Sequence, residues 1–548
     1  MQNGIKGAIM NYDARDYGVN AGEDVSHTLQ KALCELESIE GEKTLTFEKG
    51  EYHLYANEVC SKDLYITNTV GDTQWRKGMV PHRHNIGIWI DNQKDLTIDG
   101  NGCVFVMHGK MTNMAIVHSH NVTLKNFSIK VDNPDMHEFK VVEVGKTHVD
   151  FEIDRESRYH KFRNSYYFVG EDYRSKFKRS LLGWWFGYIP KEDENTIKRK
   201  AHPLRSAYHI KELEPHKFRA KVLHTSRFRV GDRYYVYDAL RNNNGIFVDR
   251  SDNVVINSVN QYFNYGLAYV AQNSSNLQIT DCKFRPHPDS SKLMISAADF
   301  AHICMCRGQV AIKNNEFVGA GDDALNVHGI HFKIKKIKDD KIEVRFCHHQ
   351  THGFNPLRVG DEIAFVEVES MLEHGRAKIL ASELVNETTI RLQLDSVDQA
   401  VVGEVIEDKS AVPDVEFSNN YMSRIITRGV LMTSGGKVKI ADNNFDNTSM
   451  HSILISDDAE SWYESGNVND VEICGNRFGR VKGYTVQVKP ENDIYKGAVH
   501  KNIYIHDNTI DSADEGWYFK SADGVVLENN ISDKPMDIKI IDSDVQNR

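Results

Sequence analysis

Proline is scarce in this 548-residue chain, with 11 residues and no Pro-rich or other low-complexity tract, which argues against long disordered linkers. Cysteine is scarcer still: eight residues are too few for a disulfide scaffold. Cys304-x-Cys306 is a close pair, but its one-residue spacing is poor for a zinc knuckle. No second Cys/His pair follows at a suitable distance, so both read as small strand hydrophobes. No apolar stretch approaches the roughly 20 residues that span a bilayer. Met1–Met10 holds no apolar run of signal-peptide length. Positive charge is also short: the formal net charge is −11, which argues against a nucleic-acid partner, since phosphate recognition needs a basic face. What remains is ordinary for a soluble globular protein, 40% hydrophobic and 26% charged, and long enough for more than one domain.

Against that background one pattern recurs: apolar-x-apolar, then Asn or Asp, then an apolar close. It appears as Asp95-Leu-Thr-Ile-Asp-Gly-Asn101, Asn121-Val-Thr-Leu-Lys-Asn-Phe127 and Asn276-Leu-Gln-Ile-Thr-Asp-Cys282. It returns as Lys437-Val-Lys-Ile-Ala-Asp-Asn-Asn-Phe445 and Asp470-Val-Glu-Ile-Cys-Gly-Asn-Arg-Phe478. The first apolar positions are spaced 26 (Leu96 to Val122), 23 (Val254 to Leu277) and 33 (Leu277 to Val310) residues, and later 23, 33, 32 and 22. A base period in the low twenties, lengthened by loops, marks a solenoid. Alternation with period two makes each unit a strand. The Asn-rich ends suit left-handed turn positions, and stacked Asn side chains can hydrogen-bond from turn to turn. The expected fold is all-β, a right-handed parallel β-helix. A propeller is disfavoured, because its blades need roughly 40 or more residues.

The rhythm fails over 134–245 and 331–412. Both gaps alternate without the Asn close, and both carry Arg-Val-Gly-Asp before a strand, at Arg229 and Arg358. Two inserted antiparallel β-barrels are expected there. The β-helix then comprises 1–133, 246–330 and 413–548. Ser26-His-Thr-Leu-Gln-Lys-Ala-Leu33 reads as a helix capped by Ser26 that covers the open end of the solenoid.

Chemistry concentrates in Gly319-Ala-Gly-Asp-Asp-Ala-Leu-Asn-Val-His-Gly329. Asp299 lies 23 residues before Asp322, one natural period of the repeat. Asp299, Asp322 and Asp323 are therefore expected on one face of adjacent turns, as the catalytic groups of a general acid/base hydrolase, most often one cleaving a glycosidic bond. Gly321 would bend the chain so that both members of the Asp pair face outward. Asn326 and His328 share a face at strand spacing, and Arg307 follows Asp299 on the same turn. An isolated Asp-Asp pair is usually a solvated turn, and a lone His or Arg is more often structural. The cluster outweighs those readings. His348-His-Gln-Thr-His-Gly-Phe354 lacks a fixed acidic ligand, so His349 and Gln350 are taken as sugar contacts, with plain loop structure as the alternative, rather than as a metal site. Trp462, with Asp458 and Glu464, makes an aromatic platform beside hydroxyl acceptors, although a loop-anchoring Trp is an equal reading for Trp462 alone.

Four motifs carry a family resemblance: Gly321-Asp-Asp-Ala-Leu-Asn-Val-His-Gly329, His349-Gln-Thr-His-Gly-Phe354, Arg428-Gly-Val-Leu-Met-Thr433 and the long His451-Ser-Ile-Leu-Ile-Ser-Asp-Asp-Ala-Glu-Ser-Trp-Tyr-Glu-Ser-Gly466. They resemble glycoside hydrolase family 110, the exo-α-1,3-galactosidases that remove terminal galactose from blood-group-B-type glycans. The resemblance implies inversion without a metal or other cofactor, and maps the catalytic aspartates onto Asp299, Asp322 and Asp323. It adds Arg428 to the expected substrate contacts. Asp322, crowded by Asp323, is expected to keep its proton and act as the acid, with Asp299 and Asp323 activating water. The family is usually exported, so a secreted or periplasmic location with the leader absent is expected, with a cytoplasmic one as the alternative. The partner is a galactose-terminated glycan, and flat solenoid sheets would permit a homodimer. Two other readings stand beside this one: a polygalacturonase-like hydrolase or lyase, and a non-catalytic carbohydrate-binding adhesin.

Overall fold

The computed structural model describes residues 9–69, 82–177, 186–190, 197–199, 204–237 and 241–548; residues 1–8 of the N-terminal decapeptide lie outside them. The apolar repeat positions are the register of a parallel β-helix. Leu96 pairs with Val122 and Val122 with Val254. Val254 pairs with Leu277, Leu277 with Val310, and Val310 with Val415. The ladder continues through Val438, Val471 and Ile503 to Val525. All these side chains point inward and are buried, because period-two alternation sends every second residue to the same face. They form one core running the length of the solenoid.

A second ladder fixes one corner of every late turn. Asn314, Asn419, Asp442, Asp507 and Asn529 adopt φ of 58°, 56°, 56°, 52° and 52°, the left-handed conformation that Asn and Asp tolerate. Each precedes a buried or half-buried Asn. The Asn315 amide donates to Asn420 Oδ1, Asn420 to Asn443, Asn443 to Asn476 and Asn476 to Asn508, each at 3.0 Å. Asn508 continues to Asn530 at 2.8 Å. Backbone N–H groups share the same oxygens, so turns that face inward leave few polar atoms unpaired.

The excursions leave the solenoid between Val122 and Val254 and between Val310 and Val415. The second forms a closed antiparallel barrel of six strands. The first contains a seven-stranded antiparallel sheet and a separate three-stranded sheet around Phe139, Phe151, Phe168, Phe177 and Phe218; among the described residues its edge strands do not close into a ring. At the N-terminus, helix α1 (Ser26–Glu37) buries Leu29, Ala32, Leu33 and Leu36 against the end of the core. Ser26 is not its cap. It is the first helical residue, and its N–H and hydroxyl both donate to Asp24 Oδ1, at 2.9 and 2.6 Å. Among the described residues no helix is long and apolar enough to cross a membrane.

Candidate active site

Four consecutive parallel strands build the site wall: β1 (Tyr269–Gln272), β2 (Ala301–Cys304), β3 (Leu325–Ile330) and β4 (Val430–Thr433). Asp299 stands two residues before β2, Asp323 two before β3 and Arg428 two before β4. The Phe300 N–H donates to the Asp323 carbonyl at 3.0 Å, and the Ala324 N–H to the Arg428 carbonyl at 3.2 Å, so the three residues stack on successive turns. Glycine is required in the approach. Gly319 has φ +90°, and a Cβ there would lie 2.5 Å from the Leu293 carbonyl oxygen. A Cβ on Gly321 would lie 2.7 Å from the Ala297 backbone.

The three carboxyl groups have different surroundings. Asp323 is buried and ion-paired: Arg428 Nη2 donates to Oδ2 at 2.6 Å, and Arg428 Nε and its backbone N–H donate to Oδ1, both at 2.9 Å. Asp323 is thus covered by Arg428 where Asp322 stays open to solvent. Asp323 tolerates burial because a guanidinium and a backbone amide take the place of water. Asp322 keeps 24% of its side chain exposed and meets Arg241 Nη1 at 3.4 Å. The Thr427 hydroxyl lies between the two acids, within hydrogen-bond reach of Oδ1 of each. Asp299 is buried and pushed well above the usual carboxyl range, first by loss of water and then by the charges of Asp322 and Asp323; Arg241 and Arg428 oppose this.

Asp299 Oδ2 contacts His302 Nδ1 at 3.0 Å, and His302 Nε2 contacts His328 Nε2 at 2.9 Å. Both imidazoles are buried, and His302 is held well below the usual histidine range by burial, with the nearby His328 and Arg241 adding to the effect. Asn326 and His328 lie on the same face of β3. Asn326 Nδ2 donates to Glu464 Oε1 at 3.3 Å, while its buried Oδ1 has no protein partner among the described residues. The short strand Glu464–Ser465 pairs antiparallel with Gly329 and Ile330, which brings the aromatic loop to the end of β3. There Trp462 lies over His348 with centroids 4.5 Å apart and 48% of the residue exposed. Burial, with His349 and Arg241 beside it, pushes His348 down to about 3. His349 packs on His348, and Gln350 Oε1 accepts from Arg241 Nη2 at 3.1 Å.

Two expected contacts have other work. Arg307 lies beyond the far end of β2, where Nη2 donates to Asp361 at 2.7 Å, Asp408 at 3.2 Å and the Pro356 carbonyl at 3.2 Å. It fastens the second barrel to the solenoid. Asp458 turns both oxygens onto its own loop, accepting from the N–H groups of Glu460, Ser461 and Trp462 at 2.8 Å each. It shapes the loop that presents Trp462. Sequence reasoning missed Arg241, Asn68, His302 and Thr427. Arg241 sits in Arg241-Asn-Asn-Asn-Gly245, where the chain returns to the solenoid, with no motif around it. His302 had a usable signal: it pairs in register with Asn326, one period on.

Stacked acids on a rigid sheet, with an exposed indole at the other end of the strand, place the chain among the carbohydrate-cleaving β-helix enzymes, the glycoside hydrolases. Sequence comparison narrows this. The GLAA-B beta-barrel domain II profile matches residues 341–401, within the closed barrel. Alpha-1,3-galactosidase A of Bacteroides thetaiotaomicron is 30% identical over 522 residues, covering 93% of this chain and 89% of that protein. The Streptomyces avermitilis protein of the same name is 30% identical over 531 residues, covering 92% and 84%. Alpha-1,3-galactosidase B of Phocaeicola vulgatus is 28% identical over 556 residues, covering 95% and 89%. The chain belongs with them in glycoside hydrolase family 110. Among solved structures, an exopolygalacturonase from Thermotoga maritima aligns at a TM-score of 0.43 and 10% identity, covering 95% of this chain and 91% of that one.

Proposed function

We propose that this protein is an exo-acting α-1,3-galactosidase that removes terminal α-1,3-linked galactose from blood-group-B-type or linear glycans with inversion, through Asp299, Asp322 and Asp323. The observation that carries the reading is the gathering of all three carboxyl groups at the start of β2 and β3, each in a different environment. Asp322, the half-exposed member, meets the glycosidic oxygen and supplies its proton. Asp299 and Asp323 share activation of the attacking water: Asp323, ion-paired with Arg428, orients it, and Asp299 on the preceding turn is placed to take its proton. The α-anomeric carbon is attacked from the opposite side, so β-galactose leaves. Asn326 Oδ1 offers a sugar hydroxyl an acceptor, and Trp462 offers an apolar face.

A uronate substrate is disfavoured by the arginines. Arg428 is bound to Asp323, and Arg241 is shared among Asp322, Asn68 and Gln350. Neither is set aside for a substrate carboxylate. The test is release of free galactose from α-1,3-galactobiose set against polygalacturonate. Galactose from the first and no cleavage of the second supports the proposal. Binding of galactobiose without release would make the protein a lectin-like adhesin, and cleavage of polygalacturonate would move it to another substrate class.

A further inference from the structure

The hydrogen-bond donors around the buried histidine pair determine where one proton sits. A backbone carbonyl only accepts, so the 2.6 Å contact between His328 Nδ1 and the Gly329 oxygen puts a hydrogen on His328 Nδ1. Arg241 Nη2 donates to Asn68 Oδ1 at 3.0 Å, which turns the Asn68 amide nitrogen toward His302 Nδ1, 3.4 Å away. That amide donates, so His302 Nδ1 is a lone pair. A neutral His302 then carries its hydrogen on Nε2 and donates to His328 Nε2. In this arrangement Asp299 Oδ2, at 3.0 Å the closer neighbour of His302 Nδ1, donates to its single lone pair as a carboxylic acid, and the Asn68 amide at 3.4 Å is the weaker second donor that disfavours a hydrogen on Nδ1.

A second arrangement differs by the movement of two protons. The Asp299 O–H bond breaks as an N–H forms at His302 Nδ1; the His302 Nε2–H bond breaks as one forms at His328 Nε2. Asp299 becomes a carboxylate and His328 an imidazolium, with Glu464 Oε1 3.7 Å from its Nε2. We propose that Asp299, His302 and His328 form a proton relay for hydrolysis, with the resting proton on Asp299 and the far station at His328 beside Glu464. The relay rests on the reading of the aspartates as the hydrolytic trio. Moving the protons toward His328 frees Asp299 to accept the proton of the attacking water. After bond cleavage Asp299 is again protonated, Asp322 has given its proton to the leaving group, and His328 holds one in excess. That proton leaves past Glu464, and solvent restores the half-exposed Asp322, so the cycle balances.

The charged and titratable groups facing Asp299 are Asp322, Asp323, Arg241, Arg428 and His302. Those facing His302 are Asp299, His328 and Arg241. His348 lies near His328 and Arg241. The relay makes His302 and His328 positioning residues, acting through Asp299 without touching sugar. The test has two arms. In resting enzyme labelled with 15N-histidine, the expected spectrum has one buried ring protonated at Nε2, assigned to His302 by its loss in His302→Gln, and one at Nδ1, assigned by its loss in His328→Gln. A His302 protonated at Nδ1 would overturn the resting assignment. In the second arm, His302→Gln is expected to lower kcat on α-1,3-galactobiose about 100-fold with little change in KM, and to displace a limb of the pH–kcat profile by about one unit or more. A folded His302→Gln enzyme with an unchanged pH profile would overturn the relay. Should His302→Gln fail to fold, Asn68→Leu, which removes the amide donor, is expected to move the same limb, and no movement would count against the relay. Failure of the hydrolase reading is separable: wild-type enzyme would then release no galactose, whatever the histidine spectrum shows.

Discussion

Two buried clusters in this molecule have the same ingredients. In the candidate active site Asp299, Asp322 and Asp323 meet Arg241 and Arg428. At the joint of the second barrel, Asp361 and Asp408 meet Arg307, with Arg358 beside them. A raised pKa does not separate the two. Burial, with Asp361 close by, pushes Asp408 up to about 7, and Asp299 is raised as well. Solvent access separates them: 24% of the Asp322 side chain is exposed, against 12% for Asp361 and 1% for Asp408. Asp408 Oδ1 accepts from the N–H groups of Ser410 and Ala411, Asp361 Oδ2 accepts from the Arg358 N–H and Arg307, and Arg358 Nη2 is spent on Asn273. In the candidate active site Asp322 remains open to solvent, Asn326 Oδ1 has no protein partner among the described residues, and Asp299 faces a histidine instead of a cation. Among the described residues both clusters hold unpartnered buried atoms, Arg307 Nε and Nη1 at the joint and Asn326 Oδ1 in the site; the joint cluster, covered from solvent, holds elements together, and the one with a carboxylate open to solvent is set up for a ligand.

The largest effect expected from this contrast is on rate. Asp323→Asn should lower kcat by about 10²–10⁴-fold or more, as read by galactose release per folded molecule, and should also lower the unfolding midpoint, because it leaves the Arg428 guanidinium without its carboxylate. Full activity in this variant would remove Asp323 from the chemistry. Next comes Arg307→Met, which should cost about 3–5 kcal/mol of stability by stranding Asp361 and Asp408, while folded protein keeps its wild-type kcat. Urea titration with parallel assays reads both quantities, and a specific loss of kcat would show that the joint belongs to the site. Trp462→Ala, on the exposed rim, should raise KM about tenfold with kcat nearly unchanged, the sign of binding that is equal in ground and transition states. The smallest effect is a tilt in stability with pH. A carboxyl raised by folding binds its proton more tightly in the native state, so its contribution is full below about pH 4 and declines as pH rises. Asp299→Asn cannot ionise. Its Tm should match wild type near pH 4 and exceed it near pH 7, and the reverse slope would deny that Asp299 is buried as an acid.

The solenoid was legible because its signal is repeated. The spacing of Val254, Leu277, Val310 and Val415 is the pairing register itself, and the Asn close is the ladder from Asn315 to Asn530. One turn informs the next, so a single sequence is enough to expose the pattern. The proximity of the acids at 299, 322 and 323 was legible for the same reason, the first lying one period before the adjacent pair. Arg241, Asn68 and Gln350 were not legible as a unit, because they come from three separate loops joined by a single guanidinium. Arg307 misled for a related reason. Its closeness to Asp299 in sequence spans the whole width of β2, and a strand carries its two ends to opposite rims of the sheet. Asp458 lies in the right loop, but a carboxylate followed by its own turn amides is more readily a loop organiser than a sugar acceptor.

The central claim is that the open cluster cleaves an α-galactoside with inversion and the covered one does not take part. Proton NMR of the first minutes of hydrolysis of α-1,3-galactobiose tests it most directly. The account predicts that the anomeric signal of β-galactose appears first, with α-galactose growing only as mutarotation proceeds, in wild type and at the same rate per folded molecule in Arg307→Met, and that Asp323→Asn gives neither signal. Early α-galactose from wild type would mean retention through a covalent intermediate, and would contradict the roles assigned to the three aspartates.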